Sequence, residues 1–253
     1  MPYSFCASIA LVFALALVLA GTCTQPVSGH QHHRHAFSPS LESIVALPTL
    51  SINSVPIAVR EGWMRRANAA LAELASPCTF SAFASVIVNH TASDAGELVC
   101  IGVNSNVNTG DPILHGEIAA IQNCTAVLTD PAGPYKFTPK QAQAAFADLS
   151  LYTNAESCPM CASAIRWSGF REYIYGTSIA TLISLGWAQI RIPSIDVFER
   201  SFDLPNPSRL IAGVLTNETD PFFSWQFDPS APCPAGCARV GATCRLVEAA
   251  GGA

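Results

Sequence analysis

The chain has 253 residues, half of them hydrophobic, which is enough for one ordinary domain with a sizeable core. Its net charge is −5, its sequence pI is about 5.6, and its only lysines are Lys136 and Lys140. Proteins that follow the phosphates of long nucleic acids need clustered positive charge, so the composition argues against that class of partner.

The first 22 residues are predicted to be a signal peptide. Residues 9–20 form an apolar run of about a dozen residues, and small residues follow at Ala20 and Gly21. This length suits a signal-peptide core and is short for a membrane span. No Lys or Arg precedes Arg34, which leaves an uncleaved signal anchor as the alternative. With cleavage near residues 20–24, we expect a protein of the secretory pathway that keeps no stable membrane span.

Three further regions follow the signal peptide. Residues 23–55 are rich in Ser, Pro and His and are predicted to be a flexible segment. Its histidine tract, residues 30–35, is either a solvated tail or a weak metal-binding tract. The folded domain is predicted over residues 56–228, and a Cys-rich tail over residues 229–253.

In chain order, the domain shows an alternation of helical and strand patterns. The patterns predict helices over residues 60–75, 115–128, 138–146, 158–167 and 179–187. They predict strands over residues 83–88, 98–103, 149–153 and 172–176, of which the first two form a hairpin. Residues 195–198 fit either a strand or a short helix, and residues 210–215 fit an edge element. Ser157 is the expected N-cap of the helix over 158–167. Strands that alternate with helices favour an α/β domain with parallel strand pairs.

Two motifs at the starts of predicted helices carry the chemistry. The chain reads His115-Gly116-Glu117 near its middle and Cys158-x-x-Cys161 further on. One imidazole and two thiolates are the ligand set of a catalytic zinc site with an open fourth position, and the positive end of a helix favours the thiolate form. Glu117 then serves to move protons. The alternative is a redox pair or disulfide between Cys158 and Cys161.

The other cysteines indicate disulfide bonds. Cys6 and Cys23 lie in or next to the signal peptide, and six remain after the proposed zinc ligands: Cys78, Cys100, Cys124, Cys233, Cys237 and Cys244. Six cysteines permit three disulfides in an oxidising compartment, in fifteen pairings among which sequence cannot choose. A second metal site in the last three, or a plain buried thiol at Cys124, are the alternatives.

Three glycosylation sequons begin at Asn89, Asn123 and Asn217, as expected of a secreted glycoprotein. Asn123 lies on the predicted helix that starts at the first motif. If that helix is buried between layers, its sequon is expected to remain unglycosylated.

The two motifs resemble those of the zinc-dependent cytidine/deoxycytidylate deaminase superfamily, whose signature is His-x-Glu followed by Pro-Cys-x-x-Cys. Ser157 stands where most members have proline, and the resemblance extends over residues 67–225. It implies a three-layer α/β/α sandwich with a mixed five-stranded sheet. It also implies one Zn²⁺ per chain, with His115, Cys158 and Cys161 as ligands and Glu117 as the proton shuttle.

Within the superfamily, the chain is similar to the guanine deaminase and tRNA adenosine deaminase branch. The similar stretches are residues 102–104, 111–112, 115–117, 151–153 and 164–167. The resemblance implies that Asn104 and the backbone N–H of Gly116 contact the base, although Asn104 also suits a turn.

Two other stretches bear on this branch. Residues 221–225 resemble an aromatic end that closes over the site, or form a core aromatic cluster. Guanine deaminases keep an acid near residues 186–189, where this chain has none before Asp196.

The expected function is that of a zinc-dependent hydrolytic deaminase of a free purine or pyrimidine base or nucleoside, releasing ammonia. The alternatives are a tRNA adenosine deaminase and a non-enzymatic secreted binding module that retains the fold. A homodimer is left open.

Overall fold

The computed structural model of the protein describes residues 53–247. The predicted signal peptide, the histidine tract and most of the flexible segment lie outside the described residues. Within residues 53–247, no helix is long and apolar enough to cross a membrane.

The described chain alternates between helices and strands. The helices are α1 Ile57–Leu74, α2 Asn106–Thr109, α3 Gly116–Thr129, α4 Pro139–Ala145, α5 Pro159–Ser168, α6 Ile179–Ser184, α7 Ser194–Glu199, α8 Thr216–Thr219 and α9 Pro221–Ser224, with a 3₁₀ turn at Phe146–Asp148. The strands are β1 Ala84–Asn89, β2 Glu97–Val103, β3 Leu149–Ala155, β4 Glu172–Thr177, β5 Arg209–Ile211, β6 Cys237–Val240 and β7 Thr243–Leu246.

Five strands form one mixed sheet in the order β2-β1-β3-β4-β5. β1 is antiparallel to both of its neighbours, whereas β3, β4 and β5 are parallel to one another. α1 packs on one face of the sheet, while α3 and α5 pack on the other. The predicted α/β fold with a mixed five-stranded sheet is therefore confirmed.

Alternate strand residues supply the two apolar layers, because successive side chains in a strand point to opposite faces. Ile87 and Leu151 pack with the helices α3 and α5, and their neighbours Val86 and Tyr152 pack with α1. Gly102 in β2 permits α3 to approach closely, because a Cβ there would collide with the backbone of Ala120.

The start of α5 differs from the prediction. The N-cap is Cys158, and Pro159 is the first helical residue. Ser157 was expected to be the cap, but proline favours the first helical position, so the residue before it becomes the cap. The capping box at Thr138, in contrast, confirms the start expected for α4.

The helix α3 lies in an outer layer, so one of its faces is exposed. Asn123 is on that face, where its amide donates to the carbonyl of Ile101 at 2.9 Å. The premise that this helix is buried between layers was therefore wrong. Cys124 is on the buried face and is paired with Cys100, so it is not a free thiol.

The Cys-rich tail forms a two-stranded hairpin, β6–β7, which the sequence patterns did not predict. One disulfide, Cys233–Cys244, closes the hairpin, and another, Cys78–Cys237, links it to the segment before β1. The alternative of a second metal site in the tail is wrong, since these cysteines are bonded in pairs.

Three predicted elements near the sheet edge change their bounds. Residues 195–198 are helical, within α7. The helix predicted over 179–187 ends at Ser184, and the edge element predicted over 210–215 is the short strand β5.

A buried ion pair joins α1 to the first residue of β4, at the edge of the sheet opposite the two motifs. Arg60 of α1 contacts both carboxylate oxygens of Glu172 at 3.0 and 3.1 Å, and each side chain is 1% exposed. Ser150 and Asn53 donate to the same carboxylate. Burial raises the pKa of Glu172, but Arg60 and these hydrogen bonds outweigh it and lower the pKa below its usual range.

Replacing Glu172 by alanine is expected to lower the free energy of unfolding by about 3–5 kcal/mol, because a buried ion pair with Arg60 would be broken. In the wild-type protein, the lowered pKa means that this contribution is complete above about pH 4.5 and is lost as the pH falls further. Urea unfolding of both proteins at several pH values measures the effect. Glu218→Ala, which breaks an exposed ion pair with Arg65, is the control and should have a far smaller effect. Equal losses in the two variants would contradict the assignment.

Candidate active site

The topology brings both motifs to one edge of the sheet. β2 and β3 are each antiparallel to β1, so they run in the same direction and their carboxyl ends lie at the same edge. His115 follows β2 and caps α3, and Cys158 follows β3 and caps α5. Ligands in open α/β sheets bind outside the carboxyl ends of the strands, and the two motifs meet there.

The three predicted metal ligands are in contact. Nδ1 of His115 lies 3.7 Å from Sγ of Cys158 and 3.6 Å from Sγ of Cys161, and the two thiols are free. The three ligand atoms all lie within 4.8 Å of one another. Zinc bonds of about 2.3 Å to sulfur and about 2.0–2.1 Å to nitrogen, at a tetrahedral angle, place N and S about 3.6 Å apart. The donor set and its spacing therefore fit a zinc ion, and a Cys158–Cys161 disulfide is not formed.

The protonation of this group also suits a cation. The hydrogen bond with Cys161 lowers the pKa of Cys158 to about 4, and His115 adds to the effect. The contact with Cys158, together with burial, raises the pKa of Cys161. The hydrogen bond with Cys158 raises the pKa of His115. The group therefore holds a thiolate at neutral pH, and thiolate is the form of cysteine that binds metals.

The backbone at residues 82–84, where β1 begins, contacts residues near both motifs. Asn154, which is fully buried, accepts from the N–H of Ala84 and donates to the carbonyl of Ala82, so it fixes the backbone on either side of Phe83. The carbonyl of Phe83 accepts from the N–H of Asn104 at 2.9 Å. A Cβ on Gly116 would lie 2.9 Å from that same carbonyl oxygen. A glycine is therefore required for α3 to begin at this point.

Glu117 is the second residue of α3 and is only 5% exposed. Burial raises the pKa of its carboxyl group, while the hydroxyl of Ser157 opposes this effect. Glu117 lines the same cavity as His115 and Cys158. A carboxyl group with a raised pKa beside the metal ligands is suited to accept a proton and return it.

The cavity has a volume of about 480 Å³ and lies beside the metal-ligand triad. Its lining combines aromatic and aliphatic side chains with hydroxyl, amide and carboxyl groups: Ser81, Phe83, Asn104, Asn106, His115, Glu117, Glu156, Cys158, Trp187, Ala188, Gln189 and Ile190. This mixture of apolar walls and a few polar groups is typical of a small-molecule site.

Of the two predicted substrate contacts, Asn104 lines the cavity and Gly116 does not. Asn104 lines the cavity, and its amide nitrogen donates to Asn106 at 2.9 Å. Among residues 53–247, no hydrogen bond occupies its carbonyl oxygen. Gly116 is buried against Phe83 rather than in the cavity lining, so its contact with a base stays a prediction.

Residues 221–225 do not line the cavity, and they form a core aromatic cluster as the alternative interpretation had it. Phe223 is buried behind the wall, where its ring lies 5.0 Å from that of Phe83 and 6.0 Å from that of Trp187. Trp187 donates its indole N–H to the carbonyl of Phe223 at 2.8 Å.

Several cavity residues lie outside the two motifs. Ser81, Trp187 and Gln189 come from loops, and Asn106 begins the one-turn helix α2; no local pattern marks such residues as part of a site. Glu156 had a signal, since it lies two residues before the second motif, but the sequence patterns gave it no role.

Comparison with known proteins agrees with this geometry. Residues 58–177 match the family model described as the cytidine and deoxycytidylate deaminase zinc-binding region. The matched stretch, a little under half of the chain, is therefore similar to the zinc-binding region of that family. The match includes both motifs and ends with β4.

Two curated relatives are similar to the chain. Guanine deaminase of Bacillus subtilis is 28% identical over 147 residues, which are 57% of this chain and 79% of that protein. A probable cytosine deaminase of Schizosaccharomyces pombe is 32% identical over 92 residues, which are 36% of this chain and about half (48%) of that protein. Both relatives are named as deaminases, although of different bases.

Among solved structures, NE0047 in complex with 2,6-diaminopurine matches with a TM-score of 0.50 and 19% identity, over 65% of this chain and 79% of that one. A mutant of NE0047 in complex with 8-azaguanine matches with a TM-score of 0.51 and 20% identity, over 66% of this chain and 84% of that one. These similarities establish a shared fold.

The substitution Gly116→Ala is expected to weaken zinc binding by roughly tenfold or more, the range seen when groups that orient metal ligands are disturbed. The added Cβ would press on the backbone of Phe83, which cannot rotate away, so the start of α3 and His115 must shift. Competition with a chromogenic chelator measures the affinity. Gly62→Ala in α1 is the control, because nothing lies within 4 Å of its Cβ position. Unchanged affinity in the Gly116 variant would show that this close approach does not position the ligand.

Proposed function

We propose that this chain is a zinc-dependent hydrolytic deaminase that replaces an exocyclic amine of a purine or pyrimidine base or nucleoside with oxygen and releases ammonia. The observation that carries this proposal is the buried carboxyl group of Glu117, which lines one cavity with His115 and Cys158 of the metal-ligand triad. A protein that bound zinc only for structure would have no use for a buried carboxyl group there, since burying it costs free energy.

The roles of the residues follow from their positions. Zinc, when bound to the triad, supplies the Lewis acidity that makes water nucleophilic near neutral pH. Glu117 takes a proton from the water that attacks the amine-bearing ring carbon and passes it to the leaving nitrogen, while the second proton of that water ends on the neighbouring ring nitrogen. The ring gains a carbonyl oxygen, and the amine leaves as ammonia. The raised pKa of Glu117 suits both halves of this transfer.

The cavity lining favours a neutral substrate. Phe83 and Trp187 offer aromatic surfaces for a flat ring, and the amides of Asn104, Asn106 and Gln189 offer donors and acceptors to its edge. The lining contains no lysine or arginine within the described part of the chain, so nothing there would balance a phosphate. The site thus suits a base or nucleoside better than a nucleotide or a nucleic acid.

Two contacts are proposed for the ring. Asn104 presents its carbonyl oxygen to an N–H of the base, because its amide nitrogen already donates to Asn106. The backbone N–H of Gly116 faces the ring at the start of α3. The region from Gly186 to Gln189 has an amide and no carboxylate, so the guanine preference of the Bacillus relative is not carried over.

The substitution Glu117→Gln is expected to leave zinc bound at one ion per chain and to reduce turnover by roughly 10²–10⁴-fold, the usual contribution of a general acid–base group. Zinc content by atomic emission and ammonia release across bases and nucleosides measure the two effects. Glu73→Gln, on the exposed side of α1, is the matched control and should behave as the wild type.

The same panel tests the substrate class. Guanine, adenine, cytosine and their nucleosides are compared with dCMP, GMP and a tRNA anticodon stem. Turnover of a base or nucleoside, with much less of the phosphorylated forms, is the expected result. Ammonia release from the RNA alone would favour the tRNA deaminase alternative, and zinc binding without any turnover would favour a binding module.

We also propose that the protein follows the secretory pathway. The apolar run at residues 9–20 supports this, and so do three disulfides that use every cysteine of residues 53–247 outside the triad. Expression of the full chain in a eukaryotic secretory host should yield extracellular protein that begins near residues 21–25. Under denaturing conditions with a chelator, it should titrate with the two free thiols of Cys158 and Cys161, and with a third where cleavage before residue 23 keeps Cys23. Retention in the cytosol with eight or more free thiols would contradict the proposal.

A further inference from the structure

One segment supplies part of the wall of the cavity that His115 and Cys158 also line. It runs from Ile179 to Ser194, between the starts of α6 and α7, and is here called the strap. Trp187, Gln189 and Ile190, from its middle, line the cavity. The family match ends at residue 177, so the strap lies just beyond it. The position of this segment sets the width of the space left for a substrate.

Both ends of the strap are bound by a single carboxylate. Oε2 of Glu156 accepts from the N–H of Ile179 at 2.8 Å. Oε1 accepts from both the N–H and the hydroxyl of Ser194, each at 2.8 Å. Glu156 is 6% exposed and Ser194 is fully buried, so a donor that lost this carboxylate would be costly to leave unsatisfied.

The backbone of Glu156 is fixed as well. Its N–H donates to the carbonyl of Thr177 at 2.7 Å, which ties the end of β3 to the end of β4. Glu156 lies two residues before the ligand Cys158 and also lines the cavity. One residue therefore connects the strap to the helix that carries two of the three metal ligands.

The hydrogen bonds also separate the role of Glu156 from that of Glu117. Three donors already use most of the roughly four acceptor positions of the Glu156 carboxylate, whereas Glu117 accepts from none of them. Both ends of the strap present backbone N–H groups, so only a group that accepts at both of its oxygens satisfies them. An amide cannot do this, because its nitrogen would face an N–H.

We propose that Glu156 is a positioning residue for substrate binding: it fixes the strap against the ligand-bearing helix and so sets the distance between the cavity wall and the metal site. This inference rests on the proposed function, since the ligand held by the wall is the base or nucleoside of that reaction. It predicts that Glu156 governs how tightly the substrate binds, while Glu117 governs how fast it reacts.

The test is the isosteric variant Glu156→Gln, measured on the zinc-loaded protein. KM for the best base or nucleoside of the panel should rise about tenfold, which corresponds to about 1.4 kcal/mol and lies within the cost of an unsatisfied buried donor. The kcat value should change much less, and zinc content should be unchanged. Ser194→Ala removes only the hydroxyl contact, so KM should rise less.

Hydrogen exchange gives a readout that does not depend on activity. The amides of Ile179 and Ser194 should exchange faster in Glu156→Gln than in the wild type. Glu172→Gln is the matched control, because that carboxylate is equally buried and hydrogen-bonded but lies at the opposite end of β4. It should lower stability and leave both KM and strap exchange unchanged.

The outcomes separate the two proposals. Unchanged strap exchange in Glu156→Gln, or faster exchange with an unchanged KM, would overturn the positioning role. An equal rise of KM in the Glu172 control would also overturn it, because the effect would then follow from general destabilisation. Faster strap exchange in a protein whose wild type deaminates no base would support the role in holding the wall and would refute the proposed function.

Discussion

The site depends on the parallel direction of β2 and β3 on either side of β1. Because of this arrangement, the helices that follow the two strands begin side by side, and their N-caps, His115 and Cys158, come within bonding distance of one ion. The distance is set by backbone contacts, since Gly116 leaves no atom between α3 and the carbonyl of Phe83. An antiparallel β3 would place the second motif at the opposite edge. The direction of the strands therefore determines that the two motifs lie at the same edge of the sheet.

Charge and burial then give the polar groups at this edge different roles. The thiolate of Cys158 and the imidazole of His115 offer a cation its ligands. Glu117 is largely buried, so its carboxyl group binds a proton more readily than an exposed one does. Glu156 is buried to a similar degree but is surrounded by N–H donors. Two carboxyl groups of one cavity thus have different uses because their neighbours differ.

Much of this arrangement could be predicted from the sequence, since the strands, helices and ligands are marked by local patterns. Other features depend on contacts between distant residues. The cavity wall at Trp187 and Gln189 is loop structure, and no periodicity marks it. Burial of Arg60 depends on Glu172, more than a hundred residues away, so α1 alone gave no sign of it. Which of the fifteen possible disulfide pairings forms depends on which cysteines the fold brings together. Ser157 was wrongly expected to be the cap because the preference of Pro159 for the first helical position is the stronger signal.

The most direct test of the account is X-ray absorption at the zinc edge of the purified protein. We expect one zinc ion per chain, with two sulfur neighbours at about 2.3 Å and nitrogen or oxygen neighbours at about 2.0–2.1 Å. Loss of one sulfur neighbour in Cys161→Ser would tie the spectrum to this site. A spectrum without sulfur neighbours, together with a disulfide between Cys158 and Cys161, would contradict the account.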